Sequence, residues 1–207
     1  GYKVGCTSRA AREMLGAEYP FYGRLLEHSM LESGATLPPP VGGAIAVEPE
    51  FAYVVAAAMP AQDIPYDAGS VVSHLGAVVP SIELIGGCYT DITTVGVPSL
   101  IAHNALNLGW VSGEALYDWT GIDLAQIDVK LLIDGELVAT GSAANVHGHP
   151  LNVVAWLANV LNKRGSQLEA GDVVSTGTCT TVERLLPGTS VLCEFGPLGV
   201  VVFSLED

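Results

Sequence analysis

The chain has 207 residues, of which 49% are hydrophobic and 14% charged, and its formal net charge is −14 with only 8 Lys plus Arg. That balance describes a well-buried globular protein and excludes a disordered one. Without a basic stripe it also argues against nucleic acid or an anionic membrane surface as a partner. No run of eighteen apolar residues predicts a transmembrane helix. The four cysteines, Cys6, Cys88, Cys179 and Cys193, are widely spaced with no C-x-x-C. They read as reduced thiols of a cytoplasmic protein. No signal-peptide pattern opens the chain. It starts on Gly1, directly in a strand-like run, and we expect a native N-terminal segment to precede it.

Taken in order, GYKVGC is a short strand carrying Lys3. Ser8 is a candidate N-cap for a helix that Gly16 stops. Residues 20–37 read as irregular, and Pro38–Pro40 with Gly42-Gly43 as a firm loop. A strand follows from Ala44 and runs towards Met59-Pro60. A second apolar strand contains VVPSIELIGG and closes at Gly86-Gly87. Residues 91–101 read as a loop, and 102–112 as a short helix or strand. Asp134-Gly135 between alternating arms predicts a β-hairpin over 127–140. Residues 150–162 form the best helix, with Pro150 in its first turn and an apolar stripe on one face. GDVVST is a strand ending at Gly177-Thr178, and a last hairpin turns at GPLG. Strands outnumber helices, so the class is α+β and β-rich, with residues 1–207 as a single domain.

Chemistry concentrates in AIAVEPEFAYVV. Alternation along a strand places Glu48, Glu50, Ala52 and Val54 on one face and Val47, Phe51, Tyr53 and Val55 on the other. Two carboxylates on a buried face repel each other and are costly to desolvate, and a divalent cation compensates best. Glu83 lies in the second strand, with Ser81 and Ile85 on its face and Ile82 and Leu84 turned away. Three carboxylates suit a hard ion, Mg2+ or Mn2+. The alternative is a solvated sheet edge marked by Pro49.

GYKVGCTS, the Glu48/Glu50 strand, SIELIGG, AHNALNLGWVSG, GHPLNVVAWLAN, GDVVSTGT and FGPLGVVVFS occur in the order found in 2-keto-4-pentenoate hydratases and 4-oxalocrotonate decarboxylases. The chain therefore resembles that branch of the fumarylacetoacetase-like superfamily over essentially its whole length. The resemblance implies a distorted β-sandwich or roll of the fumarylacetoacetase C-terminal-domain type with flanking helices, usually in a homo-oligomer. It also implies a small 2-keto acid or dienol as substrate in aromatic hydrocarbon catabolism. Carried over position by position, Glu48, Glu50 and Glu83 become the metal ligands, Lys3 the active-site lysine and Thr178 a contact near the substrate carboxylate. Many members have Asp where this chain has His103, which makes His103 a candidate catalytic residue and leaves the usual chemistry open.

Lys3 has two readings: a cation paired with the substrate carboxylate or the acids, or a neutral amine that moves protons. Glu27-His28 could form a water-activating pair or a solvated stretch, and His147 and His149 a loop or helix-cap pair. Cys88 and Cys179 read as packing residues, and Trp110, Trp119 and Trp156 as core or interface anchors. The resemblance implies a hydratase. A decarboxylase, an acylpyruvate hydrolase and a non-catalytic keto-acid-binding subunit remain alternatives.

Overall fold

Two long antiparallel strands, Ala44–Val55 and Leu75–Gly87, form the spine. In the computed structural model, which describes residues 1–38 and 44–207, the strands in chain order begin with β1 (Tyr2–Gly5), β2 (Phe21–Arg24), β3 (Met30–Glu32), β4 (Ala35–Leu37), β5 (Ala44–Val55), β6 (Leu75–Gly87) and β7 (Asn107–Ser112). They continue with β8 (Asp128–Ile133), β9 (Glu136–Ser142), β10 (Val173–Thr178), β11 (Glu183–Leu185), β12 (Ser190–Glu194) and β13 (Val200–Leu205). The helices are α1 (Arg9–Leu15), α2 (Ala68–Val71), α3 (Val97–Ala102) and α4 (Pro150–Lys163). The larger sheet has the order β2-β1-β10-β5-β6-β7-β3, with β11 also pairing β5, and the smaller has β4-β13-β12-β8-β9. The pairs β1/β10, β3/β7 and β4/β13 are parallel. This is the β-rich α+β arrangement of two sheets with flanking helices that the sequence implies.

The main core lies between the sheets and takes one face of each central strand. Val47, Phe51, Tyr53 and Val55 of β5, Ile82 and Leu84 of β6, and Val153, Leu157 and Leu161 of α4 all belong to it. The alternation expected for β5 and β6 is therefore the one that folds, and it leaves the acids on the opposite face. Helix α4 starts at Pro150, and the Nδ1 of His149 accepts from the Leu151 amide at 3.1 Å, so His149 is a cap. Helix α1 is capped by Ser8 and ends at Gly16 in the left-handed region.

Proline 49 lies mid-sheet rather than at an edge. Strand β5 pairs β6 on one side and β10 and then β11 on the other. The Pro49 carbonyl accepts from the Cys179 amide at 2.9 Å, on the side where β10 has ended and β11 has not begun. Because N and C=O of one strand residue point the same way, the missing N–H falls in that gap, where no neighbour requires it.

Several elements differ from expectation. Residues 20–37 contain three short strands, whose brevity hides any alternation. Strand β5 ends at Val55 rather than near Met59, after a register shift against β6 between Val54 and Val55. Residues 97–102 form α3, in which Pro98 occupies the first turn, where a missing N–H costs nothing. The expected loop over Pro38–Gly43 lies, apart from Pro38, outside the described residues.

Gly177 sits at the irregularity in the β10/β5 register with φ +96°, and a Cβ there would lie 2.2 Å from Thr7 Oγ1. Gly177→Ala should therefore destabilise the fold by about 2 kcal/mol or more. Gly121→Ala, where a Cβ meets nothing within 4 Å, should be close to neutral in the same urea titration.

Candidate metal centre

Register brings the acids together. Glu48 of β5 stands directly opposite Glu83 of β6, and Glu50 opposite Ser81. One carboxylate oxygen from each of Glu48, Glu50 and Glu83 lies within 4.8 Å of the others. Glu50 and Glu83 are fully buried, and Glu48 is partly covered. At such a separation two full charges repel by on the order of 3 kcal/mol even at an effective dielectric near 20. Three pairs do so here, before any cost of desolvation.

Strand β1 brings one cation to the cluster. Lys3 is 2% exposed, and its Nζ lies 3.1 Å from Glu83 Oε1 and donates to the Ala105 carbonyl at 2.8 Å. Burial pushes the Lys3 ammonium down, but Glu83, Glu48 and Glu50 together more than offset this and hold it above the ordinary lysine value. Lys3 is thus a paired cation, not a neutral amine. One positive charge against three carboxylates leaves a deficit. Burial and Glu83 raise Glu48 to about 7, with Lys3 opposing, and burial with Glu83 and Glu48 raises Glu50 well above the carboxylate range.

The other polar contacts are asymmetric. Glu50 Oε2 accepts from Ser175 Oγ and from the Gly177 amide at 3.0 Å, and Ser175 Oγ in turn accepts from Trp110 Nε1 at 3.0 Å. Glu83 Oε1 accepts from Asn107 Nδ2 at 2.9 Å as well as pairing with Lys3. The other oxygen of each, Glu50 Oε1 and Glu83 Oε2, is buried with no hydrogen-bond partner among the described residues. Such oxygens are costly unless something positive meets them. An all-oxygen donor set with two orphaned buried oxygens and net negative charge fits a hard divalent ion.

The Ala105 carbonyl is held in place by strain. Asn104, Ala105 and Leu106 are consecutive left-handed residues with φ of 50°, 53° and 68°. Each such residue costs about 1–3 kcal/mol unless its surroundings enforce it. Asn104 enforces it here, accepting from the Arg24 amide at 2.7 Å and donating to the Arg24 carbonyl at 2.9 Å. The side chains of Asn107, Ser175 and Trp110 and the turn at Ala105 escaped the sequence reading. Asn107 and Ser175 are polar residues within β7 and β10, but what they mean needs the cross-strand register.

A cleft of about 770 Å³ adjoins the cluster. Its lining includes Ala46 and Ile85, which pair across β5 and β6 two residues beyond Glu48 and Glu83, together with Gly87, Tyr89, Leu106 and Arg184. The His103 ring lies against Tyr89, centroids 5.5 Å apart, and over Gly87, where a Cβ would meet its Cε1 at 2.8 Å. Among the described residues its ring nitrogens make no hydrogen bond. Thr178 pairs with Glu50 in register, but its hydroxyl is engaged with Thr180 in its own turn. Glu27 and His28 are exposed in a short 3-10 turn. Cys179 is buried with a raised thiol pKa, first through burial, so it packs as expected. Cys88, by contrast, is exposed at the cleft because β6 ends just before it.

Residues 11–205 match the family described as Fumarylacetoacetate (FAA) hydrolase C-terminal. A 4-oxalocrotonate decarboxylase of Pseudomonas putida is 31% identical over 201 residues, covering 97% of this chain and 75% of the relative. A 2-keto-4-pentenoate hydratase of Paraburkholderia xenovorans (strain LB400) is 28% identical over 206 residues, covering 100% and 76%. The solved 4-oxalocrotonate decarboxylase from Pseudomonas putida G7, complexed with magnesium and adipate, superposes with a TM-score of 0.89 at 29% identity, covering 99% of this chain and 77% of that one.

Mg2+ should raise the melting temperature, and Glu50→Gln or Glu83→Gln should weaken Mg2+ binding by on the order of 100-fold, as read by calorimetry. A carboxyl raised to about 7 must lose its proton to act as a ligand. Mg2+ affinity should therefore climb as pH rises from 6 to 8, and a flat profile would count against Glu48 as a ligand.

Proposed function

The chain belongs to the fumarylacetoacetate hydrolase C-terminal family, and from that membership and the site we propose a divalent-metal-dependent hydratase. It would add water to a 2-hydroxy-2,4-dienoate of the 2-keto-4-pentenoate type, giving a 4-hydroxy-2-keto acid in aromatic-compound breakdown. The observation that carries this reading is the pair of orphaned, buried carboxylate oxygens beside a buried lysine. In it Glu48, Glu50 and Glu83 hold Mg2+ or Mn2+. Bound there, the ion supplies a Lewis acid for the 2-oxygen of the keto acid.

This chain's own groups do the rest. Ser175, the Gly177 amide and Trp110 fix Glu50, and Asn107 and Lys3 fix Glu83, so the acids are oriented before any ligand arrives. An ammonium has three donors; two of those on Lys3 are used by Glu83 and Ala105, and the third is directed to the substrate carboxylate. Thr178, opposite Glu50 in register, is assigned a place near the substrate carboxylate. His103, whose ring nitrogens make no hydrogen bond among the described residues and whose ring lies beside the cleft, is assigned proton delivery to C5 of the dienol; water then adds at C4. A cytoplasmic homo-oligomer is part of the same reading, supported by four unpaired cysteines and exposed apolar side chains such as Ile64 and Tyr117.

The decarboxylase relative favours a second reading, in which the same site stabilises the dienolate left when CO2 departs. With Mg2+ and 2-hydroxypenta-2,4-dienoate the protein should consume the dienol absorbance and form 4-hydroxy-2-oxopentanoate. Lys3→Met should lower kcat/KM by about 100-fold or more. Release of CO2 from 4-oxalocrotonate with no hydration would transfer the assignment to decarboxylation. Turnover of neither substrate would refute both readings.

A further inference from the structure

The chain's scarce cations are mostly spoken for. Lys3 serves the acid cluster, Arg9 pairs with Glu13, and Lys130 with Glu194. Arg12 donates to the Cys6 and Thr7 carbonyls, Arg24 covers the Tyr2 ring, and Arg164 donates to the Tyr22 hydroxyl. Lys163 ends α4 and complements its dipole. Arg184 is different. Among the described residues its side chain makes no hydrogen bond or ion pair, and it lines the cleft.

Register fixes where it points. Arg184 pairs with Ala46, while its neighbours Glu183 and Leu185 pair with Val47 and Ile45, which belong to the core. Directly opposed residues share a face, so Arg184 lies on the face of Ala46 and therefore of Glu48 and Glu50. One strand across and two residues along puts its Cα roughly 8 Å from that of Glu48. That spacing suits a short chain whose keto-acid head is at the acids and whose far end reaches the guanidinium. Between the two ends the cleft is lined by Ala46, Ile85 and Leu106, apolar groups suited to a hydrocarbon middle. The cleft's own acid, Asp91, is occupied by the Thr93 amide and hydroxyl at 2.9 and 2.6 Å.

We propose that Arg184 is a specificity residue that binds a second carboxylate at the far end of the substrate, so that 2-keto dicarboxylates bind in preference to the 2-keto monocarboxylates, such as the 2-keto-4-pentenoate-type dienol, that the same site also turns over. The inference rests on the keto-acid reading of the acid cluster. A guanidinium is suited to this task because its planar donors engage a carboxylate in pairs.

Calorimetry on the Mg2+-loaded protein with three probes tests it: oxalate, 2-oxohexanoate, and 2-oxoadipate, which has the same carbon count with a distal carboxylate. The wild type should bind 2-oxoadipate about tenfold more tightly than 2-oxohexanoate. Arg184→Gln should bring that ratio to about one without changing oxalate affinity, and Arg184→Lys should retain part of it. A wild-type ratio near one, or a preference that survives in Arg184→Gln, overturns the proposal while oxalate binding leaves the acid site intact. Failure of oxalate to bind overturns the keto-acid reading and this inference with it.

Discussion

A charge imbalance organises this protein. Three carboxylates converge from two adjacent strands onto a covered face, and a single buried lysine answers them. Burial and the mutual repulsion of the acids together exceed what one ammonium can offset, which raises the Glu48 and Glu50 carboxyls. A fold shaped only for stability would place apolar side chains at these positions, as it does at Val47, Phe51 and Ile82 on the other face of the same strands. The remaining negative charge is what gives the site its use.

Much of the sheet exists to sustain that arrangement. The groups of the cluster come from five strands: Lys3 from β1, Ser175 and Gly177 from β10, Asn107 and Trp110 from β7, and the acids from β5 and β6. The parallel pairing of β1 with β10 brings the first strand back beside a segment more than 170 residues later in the chain. Only by that non-local closure does Lys3 reach Glu83. Pro49 between the two glutamates is compatible with a central strand because its neighbour changes from β10 to β11 at that point. The same interruption leaves β11 short and presents Arg184 beside the cleft.

The acid face of β5 and β6 was legible in the sequence because both strands are long apolar runs in which acids two residues apart, or alone, stand out. Capping chemistry did the same for α1 and α4, and Asp134-Gly135 for the β8/β9 hairpin. What stayed hidden has a common physical cause. Strands β2, β3, β4 and β11 are three or four residues long and owe their existence to neighbours far away in sequence, so no local pattern announces them. The left-handed turn at Asn104–Leu106 is held by the Asn104 contact with Arg24; Asn tolerates that region, but Ala and Leu disfavour it. The hydroxyl of Ser175 and the indole of Trp110 become part of the site only through register.

The central claim is that Glu48, Glu50 and Glu83 together hold one hard ion that is open to an α-keto acid. A crystal structure of the protein grown with Mg2+ and oxalate measures this directly. The account predicts one ion with an oxygen of each of the three glutamates at about 2.1 Å and oxalate chelating its remaining positions. An ion bound elsewhere, or density that leaves Glu50 Oε1 and Glu83 Oε2 without a metal contact, would contradict it.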